Sequence, residues 1–370
     1  MKTRRCTLKR LVTSLLVLIF LFPSFASAGP GQRPLHPAEY WQKLANGSVG
    51  CLLCPRKCVM VKGKRGFCAA RINQDGRLYT LGYGNPVALH ADPIEKKPFF
   101  HVLPGTRAFS LAVAGCNMRC LFCQNWQISQ TRPDEAVSYD IPPETIPKEA
   151  VSNRCSFVVY TYTEPTVFFE YMRDCARETK KLGLRNGMHS CGYIEPEPLK
   201  ELLQYMDAVN VDIKGFSEDF YARMSSGAEL APVLETLKGI RRQGVWLELT
   251  NLLIPGQNDD PAQIRKMCVW IKENLGDEVP LHFSRFMPAF RLQNLPPTPV
   301  EKLEEACRIA REAGLKFVYI GNVPGHAKEN TCCPQCGTML VHRVGYEVLE
   351  NRILKGHCPV CGRTIPGIWE

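Results

Sequence analysis

The chain has 370 residues, 45% hydrophobic and 22% charged, with a formal net charge of +10. This globular composition excludes a disordered chain and leaves length for one large domain with small appendages. Lys2, Arg4, Arg5, Lys9 and Arg10 carry part of that charge at the extreme N-terminus, and no Lys/Arg stripe elsewhere points to nucleic acid. The 18 cysteines fall in tight groups, which favours metal over disulfides.

In chain order, residues 1–28 read as a signal peptide. A basic MKTRRCTLKR precedes the apolar LVTSLLVLIFLF and then SFASA, with a small-residue cleavage pattern after Ala28. The apolar stretch is short for a membrane span. Arg4-Arg5 resembles a twin-arginine signal, although Thr7 departs from that pattern; an ordinary secretory signal or an uncleaved anchor is the alternative. Export or membrane attachment through this segment is therefore expected, against a cytoplasmic alternative. Residues 29–46, with Pro30, Pro34 and Pro37, read as a linker.

Residues 47–105 read as a Cys- and Gly-rich module. Cys51, Cys54, Cys58 and Cys68 suffice for tetrahedral zinc or an auxiliary Fe–S cluster, and spacing does not choose between them. Asp92, Glu95, Lys96 and Lys97 could line a cavity mouth; a solvated turn is the default.

From 106 to 330, short apolar runs alternate with helical patterns. The expected strands are RAFSLAVAG, SFVVYTYTE, RNGMHSCG, AVNVDIKG, VWLELTNLLIPG, PLHFSRFMP and KFVYIGNV; the expected helices are 165–182, 196–206, 229–243, 260–275 and 298–313. Such alternation predicts parallel βαβ units. The fold class is α/β, a partial (β/α) TIM-like barrel with small Cys-rich metal modules at both ends. A doubly wound open sheet is the alternative, but no Gly-rich phosphate turn follows the first strand. Residues 331–370 carry CPQCG and CPVCG, whose Cys333, Cys336, Cys358 and Cys361 predict a zinc ribbon or a rubredoxin-like iron site, with Cys332 a bystander.

The sharpest signal is GCNMRCLFC. Cys116, Cys120 and Cys123 sit on one loop after the first barrel strand, where parallel barrels gather their chemistry. Three thiolates can each hold one iron of a [4Fe–4S] cubane and leave the fourth iron open to the amine and carboxylate of S-adenosylmethionine (SAM). Zinc, or a closed cluster using Cys155 or Cys191, is the alternative. CxxxCxxC followed by QNWQISQ is similar to the motif of the radical-SAM superfamily, in which an aromatic such as Phe122 shields the cluster.

Other strand ends extend the resemblance. YTYTEP places Thr163 and Glu164 where that superfamily meets the SAM amino group, although no GGE is present. NVDIKG places Asp212 and Lys214 like the DxK pair of glycyl-radical-enzyme activases, with a surface ion pair as the alternative. LLIPGQND resembles the fifth-strand turn of those activases, but Thr250 stands where they carry a ribose-contacting Arg. His282 reads as a satisfied barrel histidine or a ligand.

CLLCPRKCVMVKGKRGFCAARINQDGRL, YGNPVALHADPIEKKPFFHVLPG, GCNMRCLFCQNWQISQ and YIGNVPG together resemble the AmmeMemoRadiSam-system radical-SAM enzymes, relatives of pyruvate formate-lyase activating enzyme, over roughly residues 38–330. The resemblance implies a [4Fe–4S] cluster, SAM and a reductant such as ferredoxin or flavodoxin. It implies reductive cleavage of SAM to a 5′-deoxyadenosyl radical, which takes hydrogen from an unidentified substrate, a protein among the candidates. Competing readings are a non-catalytic Fe–S electron-transfer or metal-handling protein, and a ribbon-based nucleic-acid binder.

Overall fold

The computed structural model describes residues 34–370 and the backbone of Ser27–Ala28, which pairs antiparallel with Ser138–Tyr139. The rest of the signal segment, and residues 29–33 of the linker, lie outside the described residues. No helix among the described residues is long and apolar enough to cross a membrane.

Eight strands form the main sheet: β1 (Ala88–Pro93), β2 (Arg107–Ala112), β3 (Phe157–Tyr160), β4 (Arg185–Ser190), β5 (Ala208–Asp212), β6 (Trp246–Leu253), β7 (Leu281–Arg285) and β8 (Val318–Gly321). Their spatial order follows the sequence order. Neighbours from β2 to β8 run parallel, and β1 pairs antiparallel with β2. Seven helices pack on the sheet: α1 (Ile146–Ser152), α2 (Phe169–Lys181), α3 (Pro196–Leu203), α4 (Glu218–Met224), α5 (Leu230–Arg242), α6 (Pro261–Leu275) and α7 (Val300–Glu312).

The partial barrel expected from the alternating pattern is the fold observed. Strand β3 shows why FVVY carries no polar face. Val158 and Tyr160 pack in the large core with the helices, while Phe157 and Val159 join Ile94, Phe99 and Val102 in a second cluster. The antiparallel edge strand β1 was not among the expected strands, and it lies within the segment read as the Cys-rich module.

Residues 94–103 close the barrel from below. The Phe100 and His101 N–H groups donate to the buried Glu248 carboxylate at 3.0 and 2.9 Å, near the start of β6. Asn210 Nδ2 donates to Pro98 O at 2.8 Å. The C-terminal hairpin, β9 (Thr331–Cys332), β10 (Met339–Val344) and β11 (Glu347–Asn351), docks on this floor. Arg343 Nη2 donates to Phe100 O at 2.7 Å, and Ile368 exchanges two backbone hydrogen bonds of 2.7 Å with His101 and Leu103. His282 is a satisfied barrel histidine: its Nε2 lies 2.8 Å from Glu248, and its ring lies against Phe100 and Tyr319.

Residues 34–46 are not a linker. Trp41–Lys43 pairs with Val49–Cys51, His36–Pro37 pairs with Tyr79–Thr80, and Glu39 N donates to Glu170 on α2 at 2.8 Å. Pro34 and Pro37 occupy loop and edge positions where a missing N–H costs nothing.

Candidate active site

The loop after β2 carries the three expected cysteines to the C-terminal end of the barrel. Gly115 makes its first turn at φ +103°, and a Cβ there would sit 2.7 Å from Cys68 O. Only glycine fits both the left-handed backbone and that close approach. Leu121 N donates to Met224 O at 3.0 Å, and Ser226 Oγ donates to Arg119 O at 3.0 Å, which clamps the loop to the end of α4.

Cys116, Cys120 and Cys123 line one cavity together with Glu164, Asp212 and Lys214. Met118 N donates to Cys116 Sγ at 3.3 Å, while the Ser225 and Ser129 hydroxyls lie 3.3 and 3.2 Å from the sulfurs of Cys120 and Cys123. Burial pushes the Cys116 thiol up to about 12 and the Cys120 thiol upward as well. Thiolates in such a site require a cation beside them, so the donor set fits an iron cluster. Phe122 is buried, with Lys214 Nζ 5.9 Å from its ring centre.

The two proposed fourth ligands differ in place. Cys155 precedes β3, at the opposite end of the barrel, and contacts Asn153 O. Cys191 reaches the cavity wall, but its thiol is directed to Asn117 Oδ1 at 3.7 Å.

Glu164 is buried. Its Oε1 accepts from Thr166 N, Thr166 Oγ1 and Ser190 Oγ, and its Oε2 accepts from Cys191 N at 2.8 Å. It thus ties the β3 and β4 strand ends together, and Oε2 keeps acceptor capacity. Thr163 donates its hydroxyl to Val113 O at 2.7 Å and lines the cavity.

Asp212 and Lys214 are an ion pair of 2.9 Å inside the cavity rather than on the outer surface, with His189 Nε2 2.9 Å from the same carboxylate. Burial alone would raise the Asp212 carboxyl, but the charges of Lys214 and His189 outweigh it and hold it well below the usual range. Burial alone would lower Lys214, and Asp212 reverses that. Thr250 pairs with Asp212 across β5 and β6, and its hydroxyl donates to Asn210 Oδ1 at 2.9 Å; it has none of the reach of an arginine.

A solvated turn is the wrong reading of 92–97. Lys97 is 1% exposed, with its Nζ 2.7 Å from Asp92 Oδ2 and 2.8 Å from Tyr162 OH, and it lines the cavity. Burial lowers the Lys97 ammonium to about 8. The sequence offered Lys97 as a cavity-mouth residue but favoured the solvated turn, and it gave no sign of Ser129 or Ser225. Only the lysine pair in DPIEKKP, with two residues of one charge adjoining a strand, hinted at the buried lysine.

The cysteines of the two flanking modules form two further groups. Among the described residues, Cys333, Cys336, Cys358 and Cys361 alone gather three or more metal-ligand atoms, with all four sulfurs within 4.8 Å of one another. Cys332 is exposed and outside that group. Cys51, Cys54, Cys58 and Cys68 line a separate cavity beside Asn117.

A fold with catalytic loops at its strand ends and three thiols on the first of them defines a cluster-binding barrel enzyme. Residues 111–268 match the Radical SAM superfamily. An uncharacterized protein of Methanocaldococcus jannaschii is 46% identical over 333 residues, covering 90% of this chain and 99% of that protein. Pyruvate formate-lyase 1-activating enzyme of Escherichia coli K12 is 24% identical over 234 residues, 58% of this chain and 93% of that enzyme. A solved radical SAM methyltransferase from Sphaerobacter thermophilus aligns with TM-score 0.48 and 12% identity, covering 83% of this chain and 81% of its own. Residues 111–268 are thus a Radical SAM domain, a family that implies a [4Fe–4S] cluster and SAM.

Proposed function

We infer that this chain is a glycyl-radical-activase-like radical SAM enzyme in which Cys116, Cys120 and Cys123 hold the [4Fe–4S] cluster. The observation that carries this reading is the convergence of those three thiols, Glu164 and the Asp212–Lys214 pair on one cavity. When bound, the cluster and SAM supply one-electron cleavage of the S–C5′ bond, giving methionine and a 5′-deoxyadenosyl radical that takes a hydrogen atom from the substrate.

The chain's own residues bind, orient and exclude water. Glu164 Oε2 accepts a hydrogen bond from the SAM ammonium. Lys214 and Asp212 offer a cation and a carboxylate to its polar end. Phe122 keeps water from the sulfurs, and the hydroxyls of Ser129 and Ser225 place dipoles on two of them. Lys96, Asn322 and Tyr346 also line the cavity, and a segment of a protein substrate would lie against them. That substrate class, membership of the AmmeMemoRadiSam subfamily, zinc in the ribbon, a ferredoxin or flavodoxin reductant, and export or membrane attachment through residues 1–28 all belong to this reading. Subcellular fractionation with N-terminal sequencing checks the last of them.

Anaerobically reconstituted protein given SAM and dithionite is expected to release 5′-deoxyadenosine. Wild type that retains its cluster and leaves SAM intact would overturn the reading. Calorimetric titration separates it from a non-catalytic electron-transfer protein, which would bind no SAM.

A further inference from the structure

The three cysteine groups of this chain differ in how closely their sulfurs approach. In the ribbon, Cys333 and Cys361 lie 3.6 Å apart, and Cys336 and Cys358 lie 3.7 Å apart. A tetrahedral zinc with Zn–S bonds of about 2.3 Å requires sulfurs about 3.8 Å apart, so the ribbon has the dimensions of a single-ion site. The Cys116 loop is not so gathered; its thiols stand apart around a cavity, as ligands of a multi-iron cluster must.

Cys51, Cys54, Cys58 and Cys68 behave like the second group. No three of their sulfurs come within 4.8 Å of one another, and all four residues line one small cavity. Donors also face these sulfurs, although burial raises the thiols of Cys54 and Cys68. Phe67 N donates to Cys58 Sγ at 3.3 Å and Arg71 Nη1 to Cys51 Sγ at 3.6 Å, while the backbone N–H groups of Arg56 and Ala70 serve Cys54 and Cys68. Arg71 is 1% exposed, lines the cavity, and keeps its Nε without a partner beside the sulfurs.

We propose that Cys51, Cys54, Cys58 and Cys68 hold a second [4Fe–4S] cluster that passes single electrons to the cluster on the Cys116 loop; the relay rests on the radical SAM reading above. Four protein thiolates leave no iron open, so this centre has electron transfer and not substrate chelation as its chemistry. The two sites abut. Cys68 O lies against Gly115, the residue before Cys116, and Asn117 lines the smaller cavity while its backbone O accepts from Arg56 Nε at 2.9 Å. The segment around these cysteines carries Arg56, Lys57, Lys62, Lys64 and Arg65, of which Lys57 pairs with Glu195, Lys62 with Asp75 and Arg65 with Asp134. The electrons would come from a low-potential one-electron carrier of the ferredoxin or flavodoxin class, the reductant of the reading above. In each turn the carrier is oxidised by one electron, the second cluster is reduced and then reoxidised by the first, and no bond or proton changes place.

The test uses the full chain, reconstituted anaerobically, with metals counted. Wild type is expected to hold about eight iron and about one zinc per chain, and the triple variant Cys116→Ala/Cys120→Ala/Cys123→Ala about four iron and about one zinc. A triple variant with no iron and about two zinc would overturn the second cluster, as would wild type with about four iron and about two zinc, whatever the folding of the variant. An iron-loaded wild type that leaves SAM intact would sink the radical reading while the triple variant's iron count still decided this one. The relay has its own readout. In Cys51→Ser/Cys54→Ser the ratio of flavodoxin-driven to dithionite-driven SAM cleavage should fall at least tenfold, and an unchanged ratio would reject the relay.

Discussion

The two flanking cysteine modules have similar composition and opposite placement. The N-terminal one packs against the catalytic loop, with the Cys68 carbonyl touching Gly115, and its sulfurs stand apart around a cavity. The C-terminal one draws its four sulfurs together and seals the barrel floor through Arg343 and Ile368. Cysteine count and CxxC spacing do not separate these roles. What separates them is which end of the barrel each module meets and how widely it holds its thiols.

The largest effect expected is loss of SAM cleavage to background in Cys116→Ala, Cys120→Ala or Cys123→Ala, with ribbon metal retained. Chromatographic assay of 5′-deoxyadenosine and zinc analysis of the same sample check it; loss of ribbon zinc as well would erase the proposed independence of the two ends. Next is Arg71→Met. Arg71 pairs with the fully buried Glu170, and removing one partner strands the other, at a cost of about 3–5 kcal/mol. Denaturant unfolding measures it, and a cost below about 1 kcal/mol would mean the pair is not buried as described.

At the floor, burial lowers His101 to about 4, in surroundings that include Glu248, Arg343 and His282. The unfolded chain takes up that proton below the ordinary histidine value of 6.5, while the folded chain resists until about 4. Stability from this group is therefore complete above pH 6.5 and lost as pH falls toward 4, by about 3 kcal/mol. Unfolding at pH 7.5 and 5 should show a steeper acid loss in wild type than in His101→Asn; parallel losses would contradict it. The smallest effect is expected for Arg343→Met. Its nearest Glu95 oxygen is 3.8 Å away, and burial raises the Glu95 carboxyl, which can be left neutral more cheaply than Glu170. About 1–3 kcal/mol is expected, and a cost equal to that of Arg71→Met would remove the distinction between the two ends.

Much of this was legible in sequence because the signals were local. Runs such as FVVY and the helical patterns between them specify parallel units buried on both faces, and three cysteines after a strand and a glycine specify a loop site. What was not legible depended on partners far along the chain. The charges of Asp92 and Lys97 suggest solvent until Tyr162 and the barrel interior enclose them. Residues 34–46 read as a linker because their partners lie in other segments, on α2 and near Cys51. Strand β1 carries His90 and Asp92, so the sequence that pairs with β2 shows no apolar rhythm. The choice between zinc and a cluster at Cys51–Cys68 is a matter of sulfur separation, which spacing along the chain does not encode.

Pro98 lines the cavity from beneath, and Phe99, Phe100 and His101 lie buried under it, capped in turn by the ribbon. A fault in the ribbon would therefore reach the cavity through this stopper, without touching any cysteine of the Cys116 loop.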